Sequence, residues 1–337
     1  MLVLLAVALY FIDENVDSYK VRILNLCAIY VILAVSMNLI NGFTGLFSLG
    51  HAGFMAVGAY VTALLTMSKA VKAQNFFMVP IAKPLENLHT SFLAALLIAG
   101  VLSAIVAFLI GAPVLRLKGD YLAIATLGFG EIIRVIFTNT QTITNGSLGL
   151  KGIPNTTNLY WSFGFAVFTV AVIGFLINSS YGRALKAIRE DEVAAQSMGI
   201  NLFNHKVLSF MIGAFFAGIG GGLLGNLLGT IDPNMFRFFL TYNILLIIIL
   251  GGMGSITGSI ISAFIITIAT EVLRFLDDGF SIGSFSIPGI TGMRMVVFSA
   301  LLMIVVLFFT QGLMGTKEFT WSKLFNRSKP LAKGGRS

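Results

Sequence analysis

The sequence predicts an all-α protein, a polytopic bundle of membrane-crossing helices in which some helices are interrupted by glycine. Three observations carry that prediction. The 337-residue chain is 57% hydrophobic and only 11% charged, against about 25% charged in ordinary globular domains. Apolar runs of about 20 residues recur along it, the length a helix needs to cross roughly 30 Å of hydrocarbon. The runs are continuous rather than alternating. Backbone groups in lipid must pair internally, so helices are expected and a barrel is not.

Taken in order, the apolar segments fall at about 1–12, 21–41, 46–67, 91–110, 121–138, 160–177, 207–228, 236–251, 258–276 and 293–309, which gives nine or ten spans. The first lacks the basic start of a signal peptide. As a helix it would reach only about 18 Å, so it is a short span or the end of a longer one. No linker or change of composition divides the chain. Residues 1–312 therefore read as one membrane domain and 313–337 as a basic tail.

Loop charge sets the orientation. With the tail in the cytoplasm, Arg116, Lys118, Arg183, Lys186, Arg189 and Lys206 join it on the inner side. Lys20, Arg22, Lys69, Lys72, Lys83, Lys151, Arg237, Arg274 and Arg294 fall outside. The bias is modest, and the lysines at 69, 72 and 83 cut against it. A net charge of +8 with a basic tail beside a span suits anionic headgroups rather than nucleic acid. Cys27 is the single cysteine, so no disulfide can form within the chain.

Two stretches break the helical pattern inside the apolar zone: NGFTGLFSLGH at 41–51 and GGMGSITG at 251–258. Irregular backbone at membrane depth persists only where protein buries it or water reaches it. Each break is therefore a tightly packed turn or part of a substrate path, and Ser48 and His51 give the first a polar lining. In the segment 213–229, the pairs Gly218/Gly222, Gly221/Gly225 and Gly225/Gly229 let helix backbones approach closely. Packing within this chain is the favoured reading there, ahead of contact with a second subunit.

Glu131 and Arg134 lie three residues apart inside a span, on one helix face. A charge at the membrane centre costs about 2.5–3.5 kcal/mol, and pairing lowers that cost. The pair is either a structural ion pair or a polar anchor along a pathway. Glu271 and Arg274 repeat the spacing near a span end. No glycine precedes a lysine, so a phosphate-binding P-loop is excluded. His51, His89 and His205 stand far apart with no cysteine pair, and no G-x-S-x-G elbow occurs. No catalytic residue and no resident metal are expected.

Residues 181–206, YGRALKAIREDEVAAQSMGINLFNHK, form the most charged loop between apolar runs. Leu185, Ile188, Ala195 and Met198 recur at helical spacing, which predicts one helix of about 16 residues, roughly 24 Å long. Such a helix could lie on the inner leaflet. Its alanine-rich stripe favours docking into a protein groove.

EVAAQSMG at 192–199 resembles the E-A-A-x-x-x-G motif of bacterial ATP-binding-cassette importer permeases, with the acid one place early and no I-x-L-P ending after Gly199. NLINGFTGLFSLGHAGFMAVGAY at 38–60, PVLRLKGDYLAIATLGFGEIIRVI at 113–136 and GRALKAIREDEVAAQSMGIN at 182–201 are similar to the LivM branch of the branched-chain amino acid permeases. LGGMGSITG at 250–258 is similar to another stretch of that family. The resemblance implies a multi-pass permease subunit in a bacterial plasma membrane, working with a related second permease, two ATPase subunits and an extracytoplasmic binding protein. It implies uptake of leucine, isoleucine and valine, with ATP and Mg used by the partner subunits and no cofactor in this chain. Carried onto this sequence, Glu192, Ala194, Ala195 and Gly199 would dock on an ATPase, and Gly42, Gly45, Gly50, Ser48 and His51 match the family's glycine-rich segment. Related permeases move urea or short amides, and an ion-coupled secondary transporter is the alternative from the residues alone.

Overall fold

Three helices that lipid scarcely touches form the centre of the bundle: α1 (Ser18–Asn38), α2 (His51–Thr66) and α8 (Leu202–Leu228), each buried over most of its length. The computed structural model describes residues 9–11, 14–117, 119–274, 277, 280–282, 285–287, 292–308, 312–315 and 318. Around the centre stand α3 (Phe92–Val114), α4 (Asp120–Asn139), α5 (Leu159–Asn178), α9 (Phe238–Gly251), α10 (Ile256–Val272) and α11 (Met293–Phe308). Among the described residues, five helices are long and apolar enough to cross a membrane. The chain is a multi-pass α-helical membrane protein.

The apolar segments predicted beyond residue 20 all appear as helices, with shifted ends. The segment 46–67 begins as helix only at His51, because residues 44–50 are non-helical. The segment 207–228 begins earlier, at Leu202, because Asn201 caps the helix by accepting from Asn204 N at 3.1 Å. The predicted segment 1–12 lies almost wholly outside the described residues. So do the tail basics Lys317, Lys323, Arg327, Lys329, Lys333 and Arg336.

α8 packs along α2 and α3, and its glycines at 218, 221, 222 and 225 face them, while Gly213 and Gly220 lie against α1 and its π-helical extension. A Cβ on Gly58 would stand 2.0 Å from the Gly218 carbonyl oxygen, and one on Gly221 would stand 2.1 Å from the Met55 oxygen. The small-residue spacing of 218–225 therefore serves packing inside this chain, whereas Gly229 caps the helix at φ +72°. α10 closes on α1 from the other side, where Tyr19 donates to Glu271 and Arg274 pairs with Glu271 at 3.2 Å.

The bundle has two distinct ends. At one, β1 (Leu150–Lys151) pairs antiparallel with β2 (Thr230–Ile231), and Asn75 ties the 67–91 loop to Lys151. Lys72 is buried there and donates to the carbonyls of Leu85 (2.8 Å) and Leu88 (2.6 Å), while Lys69 pairs with Glu86 at 2.9 Å. Burial pushes the Lys72 amine below its usual pKa. Two of the three lysines that disturbed the charge bias are thus bound into the loop's own fold. The other end carries residues 115–117, the α9–α10 turn and residues 181–201, with Arg116 over the Phe203 ring at 5.9 Å.

The α2–α8 contact makes a direct prediction. Gly58→Leu forces a side chain into the space of the Gly218 backbone and is expected to cost about 1–3 kcal/mol or more. The measurement is the Tm of the detergent-solubilised protein, and an unchanged Tm would contradict the packing.

Candidate functional site

At the second end of the bundle the two helix breaks meet each other. α1 does not stop at Asn38. Its last turn widens into a π-helical segment, Leu39–Phe43, and residues 44–50 then lead to α2. α9 ends at Gly251 and α10 starts at Ile256. The two chains approach so closely that a Cβ on Gly42 would lie 2.5 Å from the Gly254 nitrogen.

Asn38 holds this contact. Its Nδ2 donates to Ser255 O at 2.9 Å and to Ser259 Oγ at 2.8 Å, and its Oδ1 accepts from Gly254 N at 2.9 Å. The residue is fully buried. Leaving such an amide unpaired in an apolar interior costs about 1–3 kcal/mol by mutational scales, so full pairing fixes how the breaks fit.

Side chains also replace the hydrogen-bond ladder missing from 44–50, as buried backbone requires. Asn41 accepts from Ser48 N at 3.3 Å and donates to Ser48 O at 3.2 Å. Leu49 N donates to Thr126 Oγ1 at 3.0 Å, and Ala52 N donates to Thr241 Oγ1 at 2.9 Å. Gly42 lies beside the α9–α10 turn, whereas Ala52 lies beside Thr241, ten residues back from Gly251 in α9. That is about 15 Å of helix, so the segment passes part way up the bundle inside protein. Ser48 and His51 are buried, and His51 Nε2 is 3.1 Å from Ser36 Oγ. Ser36 donates its proton to Leu33 O at 2.9 Å, so it accepts from an Nε2–H of His51.

Glu131 and Arg134 pair at 2.6 Å on α4, both partly exposed. A small cleft of about 10 Å³ beside Glu131 is bounded by Leu49, Gly53, Phe236 and Thr241, next to the start of α2. The pair is thus close to the upper end of the first break.

The charged loop folds differently from its periodicity. The predicted single helix is two: α6 (Ser180–Glu190) and α7 (Glu192–Ser197). Asp191 is extended and its carboxylate accepts from Val193 N (2.8 Å) and Ala194 N (3.0 Å), the N-cap chemistry acids favour over helix interiors. The break resets the helical phase. Leu185, Ile188 and Ala195 are buried as the stripe predicts, but Met198 is 83% exposed and Val193 69%. Glu192 turns inward to pair with buried Lys206 at 2.5 Å, which ties α7 to α8. Ala194 is exposed, and Gly199 ends the element with φ +82°.

Sequence reasoning noted Arg189 only as loop charge. Its Nη1 donates to Gly42 O at 2.8 Å, and a Cβ on Gly254 would stand 2.6 Å from that nitrogen. Gly45, at φ +75°, lies against the arginine's stem. Beside these contacts is a cavity of about 480 Å³ lined in part by Phe43, Lys186, Arg189, Thr257 and Glu318. Glu318 caps α10, accepting from Ile256 N at 2.6 Å and Thr257 N at 3.1 Å. Leu313 N and Met314 N donate to the Leu250 and Gly251 carbonyls, so the described start of the tail is bound to the second break.

A family description, "Branched-chain amino acid transport system / permease component", matches residues 19–316. The chain is 34% identical over 307 residues to the high-affinity branched-chain amino acid transport system permease protein LivM of Escherichia coli (strain K12), covering 81% of this chain and 67% of that one. It is 28% identical over 255 residues (68% and 74%) to the probable branched-chain amino acid transport permease protein LivM of Methanocaldococcus jannaschii. It is 24% identical over 329 residues (92% and 97%) to the LivH permease of the same E. coli strain. No solved structure matches the chain.

Asn38→Ala removes three buried hydrogen bonds and orphans the Gly254 N–H. It is expected to destabilise the protein by about 1–3 kcal/mol, seen as a lower Tm in detergent. A variant as stable as the parent would show that the amide does not brace the breaks.

Proposed function

The chain belongs to the family of branched-chain amino acid transport system permease components, and from that premise we propose that it is one membrane subunit of an ATP-driven importer for leucine, isoleucine and valine. Its partners in this reading are a second, related permease, two cytoplasmic ATPase subunits and an extracytoplasmic binding protein. The single observation that carries the reading is the family match across residues 19–316. The exposed α7 at the end rich in loop arginine and lysine agrees with it. That end is then cytoplasmic, as is the tail.

In this arrangement α7 is the part an ATPase grips. Val193, Ala194, Met198 and Gly199 supply the accessible surface, while Ala195 packs inward and Glu192 anchors the element through Lys206. ATP hydrolysis on the partner shifts α7 and switches the bundle between outward- and inward-open states. The cleft beside Glu131, at the positive N-terminal end of α2, is our choice for part of the substrate route, with the Glu131–Arg134 pair as its polar handle.

Co-purification with the ATPase, followed by uptake in proteoliposomes, tests the class, and competition between leucine and urea tests the substrate. Leucine is expected to compete and urea is not. Val193→Asp with Met198→Asp is expected to weaken ATPase association about tenfold or more, as truncating an apolar anchor does, at unchanged Tm. Full association would move the docking surface elsewhere. Glu131→Gln is expected to reduce uptake at normal protein levels, whereas normal uptake would leave the pair a purely structural one.

A further inference from the structure

We propose that Arg189 is the positioning residue that carries movement of the ATPase-docked element into both helix breaks. The inference rests on the importer reading above and adds a mechanical path to it. Arg189 belongs by its backbone to the loop, in the last turn of α6 and three residues before Glu192, where α7 begins. Its side chain belongs to the bundle. The guanidinium donates to Gly42 O in the π-helical turn and lies against Gly254 in the α9–α10 turn.

Three features make this a built contact. Gly42 O lies at the C-terminal end of a helix, where carbonyls lack intrahelical partners and attract cations. Gly45 and Gly254 leave the room the arginine occupies, since a Cβ on either would press on it at 3.1 Å and 2.6 Å respectively. Asn38 bonds the two breaks to each other, so a pull on either is a pull on both. The planar fork of arginine suits the task better than lysine, whose single ammonium cannot reach the carbonyl and fill the space beside Gly254 together. Asp191, capping α7 through Val193 N and Ala194 N, completes the line from the docked element to Arg189.

The experiment uses the whole complex in proteoliposomes and reads amino acid transported per ATP hydrolysed. Arg189→Met is expected to leave the complex assembled and hydrolysing ATP while uptake falls about tenfold or more, the size expected for losing a charge-assisted hydrogen bond. Arg189→Lys, which restores one donor, is expected to recover part of the ratio. If uptake and hydrolysis fall together with the ratio unchanged, or if Arg189→Met transports normally, the assignment is overturned. An Arg189→Met chain that fails to assemble while Arg189→Lys assembles at an unchanged ratio also overturns it, because the side chain is then only a cap. The importer reading has its own control: a parent chain that transports without any ATPase subunit overturns that reading and not merely the role of Arg189.

Discussion

Asn38 sits near the end of an apolar helix, where neither lipid nor water can serve its amide, and it finds partners in the α9–α10 turn and the start of α10, more than two hundred residues away in sequence. That pairing is possible only because Gly42 has no side chain to hold the two backbones apart. Once the amide is satisfied, the π-helical turn, the 44–50 segment and the α9–α10 turn have little freedom left. The same junction receives Arg189 from the loop and, through Gly251 and Leu250, the described start of the tail. Irregular backbone at membrane depth is tolerated here because protein surrounds it.

The rest of the bundle supports that junction. α8 lies against α2 and α3 at backbone contact distance, and this close packing replaces the hydrophobic drive that lipid cannot offer. The opposite end is stapled by a two-residue strand pair, Asn75 and the buried ammonium of Lys72. The helix interruptions and the loop charge are concentrated at the other end. That distribution suits a protein driven from one side.

The spans beyond residue 20, both breaks and the packing role of Gly218, Gly221, Gly222 and Gly225 were legible in the sequence, because apolar run length and small-residue spacing are local signals. Ser48 and His51 were legible as polar groups inside the membrane, though their partners Asn41 and Ser36 were not. Periodicity misjudged the loop at Asp191, where N-capping outcompetes helix continuation and turns Met198 outward. Asn38 and Arg189 were passed over for a different reason. Each draws its meaning from a residue far along the chain, Ser255 and Gly254 for one and Gly42 for the other, and no spacing in a single sequence encodes such a contact. Glu318 was hidden in the same way inside a tail read for its positive charge.

The central claim is that the docked loop and the two breaks move as one body. Double electron–electron resonance on the assembled complex in liposomes tests it, with Cys27→Ser to remove the native thiol. One label pair is Arg183→Cys with Met253→Cys, across α6 and the α9–α10 turn. The reference pair is Arg183→Cys with Phe77→Cys, which spans the two ends of the bundle. Between nucleotide-free and vanadate-trapped states, the account predicts an unchanged distance for the first pair and a shifted distance for the second. A first-pair distance that changes as much as the second would contradict it.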